Sequence, residues 1–311
     1  MAIEVHKPKN HAAWLAARAK DVTASQVGAL FEAHEFLTLF QLWALKTGRV
    51  PRDIEETPAI QRGRLLERVA VDLLREQFPR WKITHNAAEN VYYRDPAARL
   101  GGTPDVLVAA KERGPGVVQI KSVEASIFRR KWLDEEGNVE PPLWIALQAT
   151  LEAHLTGSEW AAVAPLVVGH GLEMPLVDVP LLPGVVDAMK AKAAEFWRMI
   201  AEGREPPADY ARDGAVIEAM HGLGDPEHEI DLSGDNRIPE LLTDRRRWAD
   251  EKRVATAQIE QIDAEIKAKL GTAHRAWIGN GQSITWKPQT RDGFFVPAST
   301  IRALRLPQQK D

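Results

Sequence analysis

The clearest hydrophobic pattern lies in residues 58–78. Leu66, Val69, Ala70, Leu73 and Leu74 form one stripe at helical spacing, and Pro79 ends it. Residues 11–49 also read as helical. Trp14, Leu15 and Arg18 lead into Thr23-Ala24-Ser25-Gln26, a helix start with Thr23 or Ser25 as N-cap. Val27, Leu30 and Phe31, then Phe40, Trp43 and Ala44, carry the pattern to Gly48. Leu147, Leu151 and Leu155, at steps of four, predict a helix over 142–156, and another covers 183–201. Strand-like runs fall at 81–94, 105–110, 117–123, 160–168 and 173–179. Strands interspersed with helices predict an α/β (α+β) fold.

Beyond residue 205 the pattern changes. Residues 206–236 are rich in Gly, Pro, Asp and His and read as a linker or surface loop. Trp248, Ala255, Ile259, Ile262, Ile266 and Leu270 then recur at threes, fours and sevens, predicting a long helix over 238–270 closed by Gly271. Strand-like pieces at 275–278 and 283–287 flank a Gly279-Asn280-Gly281 turn. The expected organisation is a domain over 1–205, a connection over 206–236 and a helical and β-hairpin appendage over 237–311. The stripe of the long helix cannot bury itself alone. It must pack on the front domain, on the terminal strands or on a neighbouring subunit, and a substrate- or partner-contacting appendage is the favoured reading.

Composition narrows the function classes. The 311 residues are 44% hydrophobic and 27% charged, ordinary for a soluble globular protein. Cysteine is absent, which excludes disulfides, thiol catalysis and cysteine-bound metal centres. No apolar run approaches the roughly 18 residues of a membrane span, and residues 1–7 lack a secretory apolar core, so no membrane partner and a cytoplasmic location are expected. A net charge of −4 argues against a passive nucleic-acid coat. It leaves room for an enzyme that concentrates positive charge in one groove.

Candidate chemistry centres on residues 101–121. Gly101-Gly102-Thr103-Pro104 reads as a turn that delivers Asp105 to the start of a strand. In the next strand Gln119 and Lys121 share a face while Ile120 points to the core. Glu67 lies on the 58–78 helix at the edge of its stripe, with Gly63 one turn earlier. Hydrolysis of a phosphodiester needs a hard cation held by oxygen ligands. Asp105 and Glu67 can supply carboxylates, Gln119 an amide oxygen and Ile120 its backbone carbonyl. Magnesium, with manganese as substitute, suits such a set better than zinc. Lys121 can position or deprotonate a water, or stabilise developing charge. Each feature alone has a plainer reading: a turn aspartate, a strand-end lysine, a solvated helix glutamate. Arg129-Arg130-Lys131 can be phosphate contacts or a solvated basic face. Arg245-Arg246-Arg247 reads as helix surface, and the nine histidines show no zinc-like spacing.

Taken in order, these residues resemble the YqaJ-type viral recombinase family, which includes the exonuclease of phage lambda and belongs to the PD-(D/E)xK nuclease superfamily. Over roughly residues 12–170, Trp14-x3-Arg18 and Val22-Thr23-Ala24-Ser25 resemble its N-terminal segment. Gly63-x3-Glu67 resembles its acidic helix, and Gly102-Thr103-Pro104-Asp105 its metal-binding turn. Gln119-Ile120-Lys121 falls where the family has Glu-x-Lys, and Trp144 to Gly157 resembles its following helix, with Gln148 near the site. The resemblance implies a restriction-endonuclease-like core, a mixed central sheet flanked by helices, in a metal-dependent exonuclease that degrades one strand of duplex DNA from its ends, 5′ to 3′. It also implies a trimer, a single-strand annealing partner and a role in phage-type recombination in a bacterial host. Arg18 and Ser25 would then contact phosphate; otherwise they are a surface arginine and an N-cap. Gln119 departs from the pattern and removes one negative charge, which Glu124 or Glu152 could restore. A catalytically weakened DNA-binding relative, an endonuclease and an assembly protein built on the long helix are the competing readings.

Overall fold

The computed structural model describes residues 2–51, 57–291, 293, 295 and 298–307. The chain begins with β1 (Glu4–His6), α1 (His11–Ala19) and β2 (Val22–Thr23). Asn10 caps α1, accepting the Ala13 N–H at 2.9 Å. A 3-10 helix (Ala24–Phe31) and α2 (Leu39–Thr47) follow. Thr38 caps α2 by accepting from the Gln41 N–H at 3.0 Å, and Gly48 at φ 74° ends it. α3 (Pro58–Gln77) starts with Thr57 as N-cap and Pro58 in its first turn.

Next come β3 (Lys82–His85), the short α4 (Asn86–Glu89), β4 (Tyr92–Asp95), β5 (Leu100–Gly102), β6 (Val106–Ala110) and β7 (Gly114–Glu124). They lead to α5 (Ala125–Lys131), α6 (Leu143–Thr156), β8 (Trp160–Val168), β9 (Leu172–Glu173), β10 (Val177–Val179) and α7 (Val185–Ala201). Beyond these lie α8 (Gly214–His221), α9 (Arg237–Leu270), β11 (Arg275–Gly279) and β12 (Gln282–Thr285).

The central sheet is mixed, in the order β10-β8-β7-β6-β3, with β9 also pairing with β8. β7 runs parallel to β8; β6 pairs antiparallel with both β3 and β7. Side chains alternate along β7. Val118 and Ile120 join the core formed with Ala70, Val71 and Leu74 of α3. Val117 and Val123 join the core formed with Ile145, Ala149 and Ala153 of α6. The strand is therefore buried on both faces, and Gln119 and Lys121 share the α6 face. A second sheet, β1-β4-β5-β2, lies in the same unit.

α6 is buried on more than one side. Its Leu147, Leu151 and Leu155 enter a third core with the 3-10 helix, α2 and α7. A helix apolar nearly all round belongs inside a protein. That makes its buried polar residues, Gln148, Thr150 and Glu152, conspicuous.

Several sequence expectations need correction. Residues 11–49 are not continuously helical: β2 pairs parallel with β5, and Gly28 packs so tightly that a Cβ would meet Trp144 Cβ at 2.7 Å. The run 81–94 is broken by α4, where buried Asn86 donates to the Pro104 carbonyl at 2.9 Å. Gly101 and Gly102 lie in a strand, not a turn. A Cβ on Gly101 would sit 2.1 Å from the Tyr92 hydroxyl, so close approach, not turn geometry, calls for glycine there. Within 206–236 the structure has α8, whose Val216, Ile217 and Met220 pack on the third core. Asp213, fully buried, accepts from the Thr38 hydroxyl at 2.7 Å.

The chain forms two units, residues 1–220 and 221–311. In the second, α9 is exposed along nearly its whole length, including Trp248, Ile259 and Ile262 of the predicted stripe. β11 and β12 form the expected hairpin. Among the described residues no helix is long and apolar enough to cross a membrane.

Candidate active site

The β6–β7 hairpin sets the geometry. Val106 lies opposite Val118, so Asp105, one residue before β6, comes level with Gln119. Gln119 Nε2 donates to Asp105 Oδ2 in a short contact. The Ile120 N–H donates to the same oxygen at 2.9 Å. Gln119 is only 2% exposed.

α6 supplies the facing groups. Lys121 Nζ donates to Gln148 Oε1 at 3.0 Å, and Gln148 Nε2 donates to Glu152 Oε1 at 2.9 Å. Gln148 and Glu152 lie four residues apart and so share one helix face. The Lys121 ammonium also sits 5.4 Å from the Trp144 ring centroid. A carboxylate beside one amide and an ammonium beside the other fix which end of each amide faces which neighbour. Among the described residues, three buried side-chain oxygens have no hydrogen-bond partner: Ser122 Oγ, next to Lys121, and two within this cluster, Gln119 Oε1 and Glu152 Oε2.

Glu67 on α3 contacts His85 Nε2 through Oε1 at 2.6 Å. His85 ends β3 opposite Val106, which brings it to the Asp105 end of the sheet. Sequence reasoning missed His85. A histidine paired with a glutamate 18 residues away leaves no motif to read.

Electrostatics single out two carboxyls. Burial pushes Asp105 up to about 7; Lys121 pulls it down and Glu67 pushes it further up. Burial also raises Glu152 well above the usual carboxylate range, with the Asp105 charge adding to it and Gln148, Lys121 and Arg18 opposing. Both shifts come chiefly from burial, which the neighbouring cations do not offset. Among the described residues, no three His, Cys, Asp or Glu side chains gather into a metal cage. A cation here must therefore draw on the Gln119 amide or a backbone carbonyl as well as on acids.

The N-terminal segment borders this cluster. Arg18 stacks 4.2 Å over Trp14, and its Nη2 donates to Ser25 Oγ at 3.3 Å and more weakly to Thr23 Oγ1. Trp14 Nε1 donates to Thr103 Oγ1, two residues before Asp105, at 3.3 Å. Arg18 is no surface arginine: burial lowers its pKa, and Glu152 is among the charges acting on it. Arg129, Arg130 and Lys131 form the exposed last turn of α5, where Lys131 pairs with Glu35. Glu124 is exposed and engaged in capping α5 through the Ser126 N–H at 3.0 Å. Of the two acids weighed as replacements for the missing charge, only Glu152 joins the cluster.

Comparison with known proteins agrees with the motif reading. Residues 13–159 match the YqaJ-like viral recombinase domain. The chain is 23% identical over 281 residues to the uncharacterized protein YqaJ of Bacillus subtilis (strain 168), covering 88% of this chain and 82% of that one. Among solved structures it is similar to an alkaline exonuclease (LHK-Exo) from Laribacter hongkongensis, at 19% identity and a TM-score of 0.47, covering 66% of this chain and 97% of that one. It is also similar to a putative exonuclease from Eubacterium rectale, at 13% identity and a TM-score of 0.45, covering 71% of this chain and 95% of that one. Over residues 13–159 the chain is therefore similar to the YqaJ-like viral recombinase domain, a likeness carried by the family match and not by the solved structures.

Proposed function

We propose that the chain is a metal-dependent deoxyribonuclease that digests one strand of duplex DNA from its ends, 5′ to 3′. The product would be single-stranded DNA for phage-type homologous recombination in the cytoplasm of a bacterial host. The observation that carries this reading is the pair of buried, unpartnered oxygens, Gln119 Oε1 and Glu152 Oε2, in a cluster with Asp105 and Lys121. An oxygen buried without a donor is costly unless a ligand satisfies it. Oxygen donors without sulfur or free imidazole fit a hard cation.

Asp105, Glu67, Gln119 through its amide oxygen and Ile120 through its carbonyl would hold Mg2+, with Mn2+ as substitute. When bound, such an ion neutralises phosphate charge and makes an attacking water more acidic. The chain's own groups do the rest. Gln148 orients the Lys121 ammonium, which holds or moves a proton at the attacking water and offsets charge growing on the phosphate oxygens. Arg18 and Ser25, already joined by a hydrogen bond, offer a phosphate contact beside the cluster. Arg129 and Arg130, with Lys131, offer exposed charge for the duplex backbone. The assembly expected with this reading is a trimer working with a single-strand annealing protein, testable as molecular mass in solution.

The test is digestion of end-labelled linear duplex with magnesium. Shortening from the 5′ ends, abolished in Asp105→Ala and in Lys121→Ala, is expected. No digestion with any divalent metal, or digestion undiminished in both variants, would overturn the reading. The neutral Gln119 favours one second reading, a weakened relative that binds duplex without cutting it. In that case Gln119→Glu should restore cleavage. Cutting of closed circular duplex would instead identify an endonuclease.

A further inference from the structure

Charge balance at the cluster is incomplete if only the motif residues are counted. Gln119 is neutral, and Glu67 is engaged with His85. Against the two negative charges of Asp105 and Glu67 stand a doubly charged ion and the Lys121 ammonium. Glu152 answers this deficit by position. It lies on α6, one turn after Gln148, which holds Lys121, and it is 1% exposed. Gly102, three residues before Asp105, lies beside its stem: a Cβ there would come into ordinary contact with Glu152 Cγ at 3.6 Å.

A purely structural role explains only half of this side chain. Oε1 accepts from Gln148, which the amide oxygen of a glutamine would do as well. Oε2 has no partner. The nearby Arg18 does not supply one; its Nη2 donates to Thr23 and Ser25. An acid kept on a buried, mainly apolar helix, with one oxygen left without a donor, is arranged for a ligand and not for the fold.

We propose that Glu152 is the displaced carboxylate of this site, supplying through Oε2 the negative charge toward the divalent cation that Gln119 does not carry. This rests on the metal-dependent nuclease reading. The charge comes from the helix that faces the strand, while the strand amide holds a neutral oxygen, Gln119 Oε1, without a partner of its own.

The experiment is calorimetric titration of the full chain with Mn2+, without DNA, paired with thermal melting in EDTA. Glu152→Gln is expected to weaken Mn2+ binding by roughly 10- to 100-fold while melting no lower than the parent protein in EDTA. Adding Gln119→Glu to Glu152→Gln should bring affinity back toward the parent value. Should Glu152→Gln not fold, Glu152→Asp, which keeps the charge but shortens its reach, should still weaken binding. Parent-like Mn2+ affinity in Glu152→Gln, or in Glu152→Asp if that is the variant measured, overturns the proposal. So does an affinity loss that Gln119→Glu leaves unrepaired and that comes with a lower melting temperature in EDTA. If the parent chain binds no Mn2+, the proposal and the metal-dependent reading fall together. If binding depends on Glu152 but labelled duplex is never cut, only the nuclease reading falls.

Discussion

At the scale of single residues, the site is a relay of amides between charges. Gln119 links Asp105 to β7, and Gln148 links Lys121 to Glu152. An amide can face an acid with its nitrogen and a cation with its oxygen, which suits a cluster holding both signs. Gln148→Ala should release the Lys121 ammonium from its 3.0 Å contact without removing its charge. Digestion at saturating duplex is expected to slow by roughly 10- to 100-fold with KM little changed. A change confined to KM would show that Gln148 binds substrate instead of holding Lys121.

At the scale of elements, legibility followed the range of the interactions involved. α3 and α6 were readable because their stripes are local and repeat at helical spacing. The β6–β7 hairpin was readable because antiparallel neighbours are joined by a short turn. β2 and β5 were not, because their pairing is between segments more than 70 residues apart. The 3-10 helix is bounded by β2, which only that distant pairing creates. The same limit applied at the site: Asp105, Gln119 and Lys121 sit in one local frame, whereas His85 meets Glu67 only through tertiary packing. Gly101 shows what was misread. The Tyr92 hydroxyl that would clash with its Cβ donates to buried Asp21 at 3.0 Å, and Asp21 also pairs with Arg94 at 2.8 Å. Gly101→Ala should therefore displace a buried polar network and cost about 1–3 kcal/mol, measured by denaturant unfolding. A loss below about 0.5 kcal/mol would mean that the strand yields without disturbing Tyr92.

At the scale of the whole molecule, the site is a source of instability that the proposed cation would relieve. Asp105 is raised from 3.8 to about 7, and Glu152 is raised as well. Carboxyls that bind protons more tightly folded than unfolded stabilise the folded chain at low pH and lose that contribution as pH rises through their folded values. In EDTA the stabilising share of these two groups is complete below about pH 4 and, for Asp105, lost by about pH 7 to 8. The melting temperature should accordingly fall across that window. Mn2+ should offset the fall at its upper end, because binding to the folded state alone adds stability. A melting temperature that rises steadily from pH 5 to about pH 8 in EDTA, unaffected by Mn2+, would contradict the electrostatics of the cluster.

The parallel pairing of β7 with β8 also bears on the order of events during synthesis. Parallel neighbours cannot be joined by a tight turn, and here α5 and α6 are made between them. A nascent chain that has reached Glu124 already contains Glu67, Asp105, Gln119 and Lys121. It still lacks the helix that steadies the lysine and brings Glu152, and it lacks β8, which ends at Val168, to hold that helix against the sheet. The ribosome therefore carries the cluster's residues for some time before the cluster exists, and a prematurely terminated product is born without it.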